Sequence, residues 1–482
     1  MANRRFVKFL IASAIFLVFS GQAFASSLKF NVDSGYDAFK RSTISTNLSR
    51  VSGRAYFYID SNFWSKLNDI ERTRVHSALS DLAQEYDAHI YPKITEFYGS
   101  EWNPGIDKDP KVYFVFHEMS NNTAGYFREK DQYDKLQVPN SNQKEVVFLN
   151  AEYLLSPNIK SYLAHEFTHL AIFNRKTRIN GNGEEVWVQE LLAEYTPTLL
   201  GYNEVPTDNT YLEKRVRKFT EDSSKSIVDW QNDAAGYAAG SIFIHYAVDQ
   251  YGPGLLKALY RSPYTGISGF NDALRTVGAK ENFQEVFNNW TVANFLNDCS
   301  LSSSFCYKNA ILKKMRVVPM VNFLPTKGES KFYFSDTMPN WSAKWYKIVG
   351  GIGNLRIEFS GNSSDKFVVP YILQSKDGKN KIGYIDLANK NKGYLSFENF
   401  VKDNNWLVFI PSAQNMQKKN ALEYEFNWSV YFTKSASANS SQTENKVSQN
   451  EKSNNSTNII TNTERLKLLL EILRLLLSLK TK

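Results

Sequence analysis

Residues 164–173 read AHEFTHLAIF, an apolar stretch that carries two of the six histidines in the chain. His165 and His169 lie four residues apart, so on a helix both imidazoles project from the same face, with Glu166 beside them. Two nitrogens at this spacing can ligate one metal ion, although the same residues could instead form a satisfied polar core. The His-Glu-x-x-His order is rare in a chain with so few histidines, and it therefore favours the metal site.

The segments around this helix predict an α+β domain. Short β-rich runs occupy residues 54–60, 111–119 and 145–154, and apolar residues at helical spacing occupy residues 64–98. From residue 156 to about residue 314 the period is helical. Strands first and helices after is the order of an α+β domain, with the histidine pair on a central helix.

The C-terminal third has a different texture. Runs such as LRIEF, IGYIDL and YEFNWSVYF alternate with Gly, Asn, Asp and Ser, and over residues 326–434 they predict a β-sandwich of roughly seven or eight strands. A chain of 482 residues exceeds one ordinary core, so we expect two folded domains, residues 26–325 and 326–434.

The last segments predict an extension beyond the two domains. Residues 435–463 are polar and are expected to be a disordered linker. Residues 464–482 are leucine-rich with a narrow polar stripe, which predicts an amphipathic C-terminal helix. Such a helix favours attachment to a membrane surface or self-association, with docking on the parent domain as the alternative.

Residues 1–25 have the order of a secretory signal peptide: basic residues, the apolar run FLIASAIFLVF, and then AFA. The protein is therefore expected to be secreted, periplasmic or attached to the cell surface. In that oxidising compartment Cys299 and Cys306, the only cysteines, could form a local disulfide, with two unpaired thiols as the alternative. The net charge of +8 is spread without a basic block, which argues against a nucleic-acid partner.

A catalytic zinc site needs a third protein ligand, and residues 181–195, GNGEEVWVQELLAEY, offer four glutamates. Glu184 and Glu185 lie where a helix would begin, and the helix dipole is sufficient to explain them. Glu190 and Glu194 instead share the inward apolar stripe of that helix. A buried carboxylate is costly unless it is paired or bound to a metal, so either residue could complete the site.

The run HEFTH, followed after residues 170–189 by the glutamate of WVQELLAEY, resembles the zinc site of gluzincin metallopeptidases. Gln189 and Leu191 depart from the usual asparagine and glycine of that motif, and neither change removes a ligand. The longer runs LAHEFTHLAIFNRK and GEEVWVQELLAEY, with the upstream AGYF and NQKEVVFLNAEYL, most resemble the hyicolysin family of secreted bacterial neutral metallopeptidases. This resemblance covers about residues 54–300.

The resemblance implies a set of roles. Zinc would be held by His165, His169 and Glu190, and Glu166 would be the general base for a zinc-bound water. Glu194 would orient a ligating histidine from outside the ligand set. The implied activity is that of a zinc-dependent endopeptidase acting on protein or peptide substrates.

Two further features are compared with related peptidases. Tyr237 and Gly240 resemble the tyrosine motif of gluzincin aminopeptidases, so Tyr237 is the candidate donor to the oxyanion, with an ordinary core tyrosine as the alternative. Ala124, Gly125 and Tyr126 are candidates for an edge strand that holds the substrate backbone, with a plain surface loop as the alternative.

Other functions remain open at the level of sequence. The Gly-x-Met-Glu-Asn motif with which gluzincin aminopeptidases recognise a free amino terminus is absent from the sequence, which favours an endopeptidase over an aminopeptidase. The rival from another class is a catalytically inactive cell-surface binding or adhesion protein. His245 is the reserve donor, and we expect His76, His89 and His117 to be structural.

Overall fold

The computed structural model describes residues 27–433 except 121–122, 205–208, 388–390 and 417–422. The predicted signal peptide (1–25), linker (435–463) and C-terminal helix (464–482) lie outside the described residues. The described chain is of mixed α+β class, with a sheet and its helices first and β-sheets after them.

A six-stranded sheet forms the N-terminal part. Its strands are β1 (Ser27–Asn31), β2 (Thr43–Val51), β3 (Ala55–Asp60), β4 (Val112–His117), β5 (Gly125–Phe127) and β6 (Val146–Asn150). Their order is β1-β2-β3-β4-β6-β5, with β3, β4 and β6 parallel and β5 antiparallel at the edge. The sequence signalled β3, β4 and β6 because both of their faces are buried, whereas the more polar β1 and β2 gave no clear signal.

Side chains of the central strands alternate between the two faces of the sheet. Phe57 and Phe114 face the main helical core, and Tyr58 and Phe148 face a smaller core beneath the β1–β2 hairpin. Both faces of the sheet are therefore covered, and the site described below lies on the helical face, next to β5.

The helices of this part are α1 (Ser61–Lys66), α2 (Asp69–Glu85), α3 (Tyr91–Phe97), α4 (Ile159–Ile172), α5 (Val186–Leu199), α6 (Tyr211–Glu221), α7 (Ala234–Tyr251), α8 (Gly254–Arg261), α9 (Gly266–Thr276) and α10 (Phe283–Leu296). Helix α4 packs against β5, β6 and α5, and α7 packs against α5 and α6. Because α4 is covered on nearly all sides, its polar residues are buried along with its apolar ones.

The C-terminal part consists of β7 (Met320–Leu324), β8 (Ser330–Met338), β9 (Tyr346–Gly350), β10 (Asn354–Gly361), β11 (Phe367–Val368), β12 (Pro370–Ser375), β13 (Asn380–Tyr384), β14 (Lys392–Phe397), the short helix α11 (Phe400–Asp403), β15 (Asn404–Phe409), β16 (Ser412–Ala413) and β17 (Tyr424–Thr433). One sheet has the order β14-β10-β17-β8, another β13-β12-β15-β9-β7, and β11 pairs with β16. The described strands outnumber the roughly seven or eight expected, because short runs such as β11 and β16 are invisible to periodicity. Strand β7 pairs with β9 although it precedes the expected boundary at residue 325.

Some residues of the C-terminal part pack into the hydrophobic core of the helices. The Trp341 ring packs on Phe283 with centroids 4.9 Å apart, and Trp345 Nε1 donates a hydrogen bond of 3.0 Å to the Thr291 carbonyl. Trp341, Trp345 and residues of β12 and β15 belong to the same buried cluster as the helices. The C-terminal sheets therefore contact the helical part through these residues, while a second buried cluster, which includes Ile348, Leu355 and Phe426, lies between the sheets themselves.

Two smaller features complete the fold. Cys299 and Cys306, which follow α10, are joined by a disulfide. Within the described ranges, no helix has the length and apolar character needed to cross a bilayer.

Candidate metal centre

Helices α4 and α5 bring His165, His169 and Glu190 together. The Nε2 atoms of the two histidines lie 3.3 Å apart, and Glu190 Oε2 lies 3.2 Å from His165 Nε2 and 3.6 Å from His169 Nε2. Ligands about 2.0–2.1 Å from a tetrahedral zinc ion are separated by about 3.3–3.4 Å. The triangle of ligand atoms therefore has the size that zinc requires, and no other group of three such side chains in the described ranges converges in this way.

The donor set also lacks a positive charge. Glu190 Oε2 is buried and accepts no hydrogen bond, although two imidazole nitrogens are close to it. Arg215 compensates Glu194, but in the described structure no lysine or arginine pairs with Glu166 or Glu190. Buried carboxylates without a cation are costly, and a divalent ion held by the three ligand atoms would supply the missing charge. The residues therefore fit zinc.

Glu166 lies beside the triangle and is only 7% exposed. Burial raises the pKa of Glu166 to about 8, with His169 opposing the shift and Glu190 and Glu194 adding to it. A carboxylate in this setting binds a proton more tightly than one in water.

The edge strand β5 runs along α4 next to Glu166. A Cβ atom at Gly125 would lie 2.8 Å from Glu166 Cγ and 2.8 Å from the Phe148 carbonyl, so only glycine fits there. The Phe127 ring lies parallel to the His169 ring, with centroids 6.4 Å apart. The backbone of β5 therefore passes directly beside Glu166 and one histidine of the triangle.

The outer edge of β5 carries backbone groups that turn away from β6. The Asn150 N–H donates to the Ala124 carbonyl at 2.9 Å, and Gly125 is paired with Leu149 in the same register. Hydrogen-bonded and non-bonded pairs alternate in an antiparallel ladder, so the N–H and C=O of Gly125 and Phe127 point outward. No described strand lies beyond β5 in this sheet.

Of the three residues expected to bind substrate, the structure brings Ala124 and Gly125 to this edge, but it turns the Tyr126 side chain away. The Tyr126 hydroxyl lies 3.1 Å from His117 Nε2, and its ring stacks on Phe148 at 4.8 Å, on the opposite face of the sheet. Only the backbone of Tyr126 belongs to the edge, because successive side chains in a strand point to opposite faces.

Glu194 lies one turn beyond Glu190 on α5 and outside the triangle. Its carboxylate accepts hydrogen bonds from Arg215 Nε at 2.9 Å and Nη2 at 2.6 Å, and from the Tyr211 hydroxyl at 2.5 Å. The Tyr211 hydroxyl is also 3.3 Å from His165 Nδ1, whereas Glu194 Oε1 is 3.6 Å from the same nitrogen. The nearer partner of His165 is thus the tyrosine, with Glu194 behind it.

Sequence reasoning missed Tyr211 and Arg215. They lie four residues apart on α6 and so share a helix face, which the sequence shows. It does not show that this face meets α4, since Tyr211 and His165 are 46 residues apart.

Tyr237 lies in the first turn of α7, and its ring centroid is 6.2 Å from that of His165. The hydroxyl donates to Asn232 Oδ1 at 3.0 Å. Burial raises the pKa of Tyr237, and the charges of Glu190 and Glu166 add to the shift, so the phenol stays protonated and can donate.

The remaining histidines have other partners. His245 Nε2 is 2.7 Å from Thr198 Oγ1, and its Nδ1 is 2.7 Å from the Ser241 carbonyl, so both nitrogens are engaged within the core. His117 lies between Asp37 and Tyr126, each 3.1 Å away. His89 contacts Glu85, and His76 packs edge-on against Trp64.

Comparisons with known proteins do not identify a family. No family model and no curated protein matches the chain. The pre-peptidase C-terminal domain of a Bacillus anthracis collagenase is similar at 12% identity and a TM-score of 0.17, over 23% of this chain and 94% of that one. The Aeromonas hydrophila periplasmic inhibitor of g-type lysozyme, PliG, is similar at 10% identity and 0.17, over 24% and 100%. Tripeptidyl peptidase 2 is similar at 10% identity and 0.18, over 26% and 12%. Likenesses with TM-scores this low carry no argument about fold or function.

Proposed function

We propose that this protein is a zinc-dependent endopeptidase of gluzincin type, similar to the hyicolysin family, that hydrolyses peptide bonds in proteins or peptides. The observation that carries the proposal is the position of Glu166. It lies buried beside the triangle of His165, His169 and Glu190 and is not part of it. A site that only stored a metal would gain nothing from another buried carboxylate, whereas a hydrolase needs a base at that position.

Zinc, when bound by the three side chains, would supply Lewis-acid polarisation of the water and of the scissile carbonyl. The rest of the chemistry belongs to this chain. A carboxylate oxygen of Glu166 takes the proton of the attacking water and returns it to the leaving amine.

Tyr237 is the proposed donor to the oxyanion. Its hydroxyl is protonated and belongs to a ring 6.2 Å from the ring of His165. A fixed donor aimed at developing negative charge is among the larger catalytic effects that a single side chain supplies.

The proposed substrate is an extended peptide paired with β5. The outward N–H and C=O groups of Gly125 and Phe127 offer antiparallel hydrogen bonds to such a chain, next to Glu166. Recognition of this kind reads the peptide backbone and requires no chain terminus. It therefore supports an endopeptidase over an aminopeptidase.

The test uses the mature chain, measured for metal content and for cleavage of a peptide blocked at both ends. We expect about one zinc per chain and cleavage at internal bonds. Glu166→Gln should keep the zinc and lose nearly all hydrolysis, since it removes the base and keeps the shape. Glu152→Gln, at an exposed glutamate outside the site, is the matched control.

Several outcomes would count against the proposal. Zinc that remains bound after both His165→Ala and His169→Ala would place the metal elsewhere. Hydrolysis by Glu166→Gln at the rate of the control would show that Glu166 is not the general base. Cleavage confined to peptides with a free amino terminus would make the protein an aminopeptidase.

A further inference from the structure

A chain of hydrogen bonds joins three side chains from two distant parts of the fold next to the metal centre. The Tyr237 hydroxyl donates to Asn232 Oδ1 at 3.0 Å, and Asn232 Nδ2 donates to the Tyr36 hydroxyl at 2.8 Å. Tyr36 lies in the loop between β1 and β2, whereas Asn232 precedes α7. The second bond therefore connects residues 196 apart, one from the sheet and one from the helical part.

The Tyr36 end of this connection is held firmly. The Tyr36 ring stacks on Tyr126 with centroids 4.9 Å apart and an interplanar angle of 24°, and its carbonyl accepts the Ser120 N–H at 2.8 Å. The next residue, Asp37, is fully buried and contacts His117 at 3.1 Å. These contacts hold the Tyr36 hydroxyl in place next to β5.

The Asn232 end is open to solvent. Residues 231–234 are exposed, in contrast with the buried helix that follows them. The same loop is tied down at Ile227, whose N–H donates to the Trp341 carbonyl at 3.1 Å, and at Asp233, which caps α7 through the Gly236 N–H at 2.7 Å. Between these two anchors, the exposed side chain of Asn232 joins the loop to Tyr36.

Both phenols lie close to the charged residues of the metal centre. Burial is the main cause of the raised pKa of Tyr36 and of Tyr237, and the charges of Glu166 and Glu190 add to both shifts. The centre itself is enclosed, since His165, Glu166, His169 and Glu190 are each less than a tenth exposed. The hydrogen bond between Tyr36 and Asn232 joins the loop that stacks on β5 to the loop before α7, beside the strand on which the proposed peptide would lie.

The single hydroxyl hydrogen of Tyr237 links this connection to the proposed catalysis. A phenol has one O–H to donate, and here Tyr237 gives it to Asn232. Tyr237 cannot donate to Asn232 and to an oxyanion with the same hydrogen. Release of Asn232 from both tyrosines would therefore separate the two loops and free the Tyr237 hydroxyl at the same time.

We infer that Tyr36 is a positioning residue, and that its hydrogen bond to Asn232 is a latch that holds the two loops together beside the metal centre and retains the Tyr237 hydroxyl until an extended peptide opens it. The part played by the peptide rests on the proposed endopeptidase function. The latch itself is a property of the fold, and it can be measured without any hydrolysis.

The test compares Tyr36→Phe with the unaltered chain in two measurements. This change keeps the ring that stacks on Tyr126 and removes only the hydroxyl. The rate at which the chelator dipicolinate extracts zinc should rise about fivefold, as expected when one partly exposed hydrogen bond is lost. Amide hydrogen exchange of residues 228–237, measured on metal-free protein, should rise by a similar factor. Tyr133→Phe is the matched control, because the Tyr133 hydroxyl bonds only to the exposed Glu129, at 3.2 Å.

A double-mutant cycle assigns the effect to this one bond. Asn232→Ala also removes the acceptor of the Tyr237 hydroxyl, so it should accelerate extraction and exchange at least as much as Tyr36→Phe, and the double variant should be no faster than Asn232→Ala alone. Fully additive effects, or extraction and exchange unchanged in Tyr36→Phe, would overturn the latch. Faster extraction or exchange in a protein that cleaves no peptide would overturn the proposed function and leave the latch standing. If the unaltered protein cleaves peptides but Tyr36→Phe leaves the rates of extraction and exchange unchanged, the latch is overturned and the proposed function stands.

Discussion

Tyr211→Phe tests whether the side chains behind the ligand triangle tune the metal affinity. The Tyr211 hydroxyl is 3.3 Å from His165 Nδ1, 2.5 Å from Glu194 Oε1 and 2.9 Å from Arg215 Nη2. Its removal keeps the ring and takes away the nearest partner of His165.

The magnitude follows from the distances that remain. Without the hydroxyl, the closest acceptor for His165 Nδ1–H is Glu194 Oε1 at 3.6 Å, which is too far for a good hydrogen bond. The imidazole would then be less firmly oriented, with Nε2 less well fixed toward the metal. Loss of an outer partner of a ligating histidine typically costs about 10–100-fold in metal affinity, or about 1.4–2.7 kcal/mol.

The assay is a competition titration with a zinc chelator at fixed pH, which reports affinity independently of peptidase activity. Tyr162→Phe is the control, because the Tyr162 ring packs against Tyr211 with centroids 5.9 Å apart, so this change alters the surroundings of Tyr211 and leaves the Tyr211 hydroxyl in place. Unchanged affinity in Tyr211→Phe would refute the reasoning, and an equal loss in Tyr162→Phe would trace the effect to packing.

Three further predictions concern the cleft and the fold. Gly125→Ala should keep its zinc and lose about a hundredfold in kcat/KM, because the added methyl group forces β5 to shift away from Glu166. Gly183→Ala is the control, since the nearest atom to a Cβ at Gly183 is 3.8 Å away. Equal activity of the two variants would contradict the role of β5. Tyr237→Phe should lower kcat about a hundredfold, and an effect limited to KM would assign the hydroxyl to binding instead. Burial raises the pKa of Glu145 from 4.5 to about 8, so the stability contributed by its protonated form is complete below pH 4.5 and is lost as the pH rises through 8. Glu145→Gln should therefore raise the melting temperature at pH 9 and have little effect at pH 5, and equal shifts at both pH values would argue against this titration.

Local spacing was enough to predict the helical parts of the site. His165 and His169 share a face because they lie four residues apart, and that relation holds wherever the helix packs. The buried strands β3, β4 and β6 were likewise readable, since each is a continuous apolar run. In each case the signal is carried by residues within one element.

The sequence did not predict the contacts between separate helices, strands and loops. Gly125 against Glu166, Tyr211 against His165 and Tyr36 against Asn232 each join segments that no period relates. The packing of Trp341 on Phe283 is a contact of the same kind, because it depends on how the C-terminal sheets dock on the helices, and the division at residue 325 stays a prediction.

The choice between Glu190 and Glu194 shows the physical reason most directly. The two residues lie one turn apart on the same inward stripe of α5, so periodicity predicts burial for both and cannot separate them. The resemblance separates them by analogy, and the packing of α6 separates them physically, because it places the Arg215 guanidinium on Glu194 and neutralises that carboxylate. Glu190 faces His165 and His169, and no lysine or arginine of the described residues pairs with it. Periodicity along one helix predicts which face is buried, whereas the charge that pairs with a buried carboxylate comes from whichever helix packs against that face.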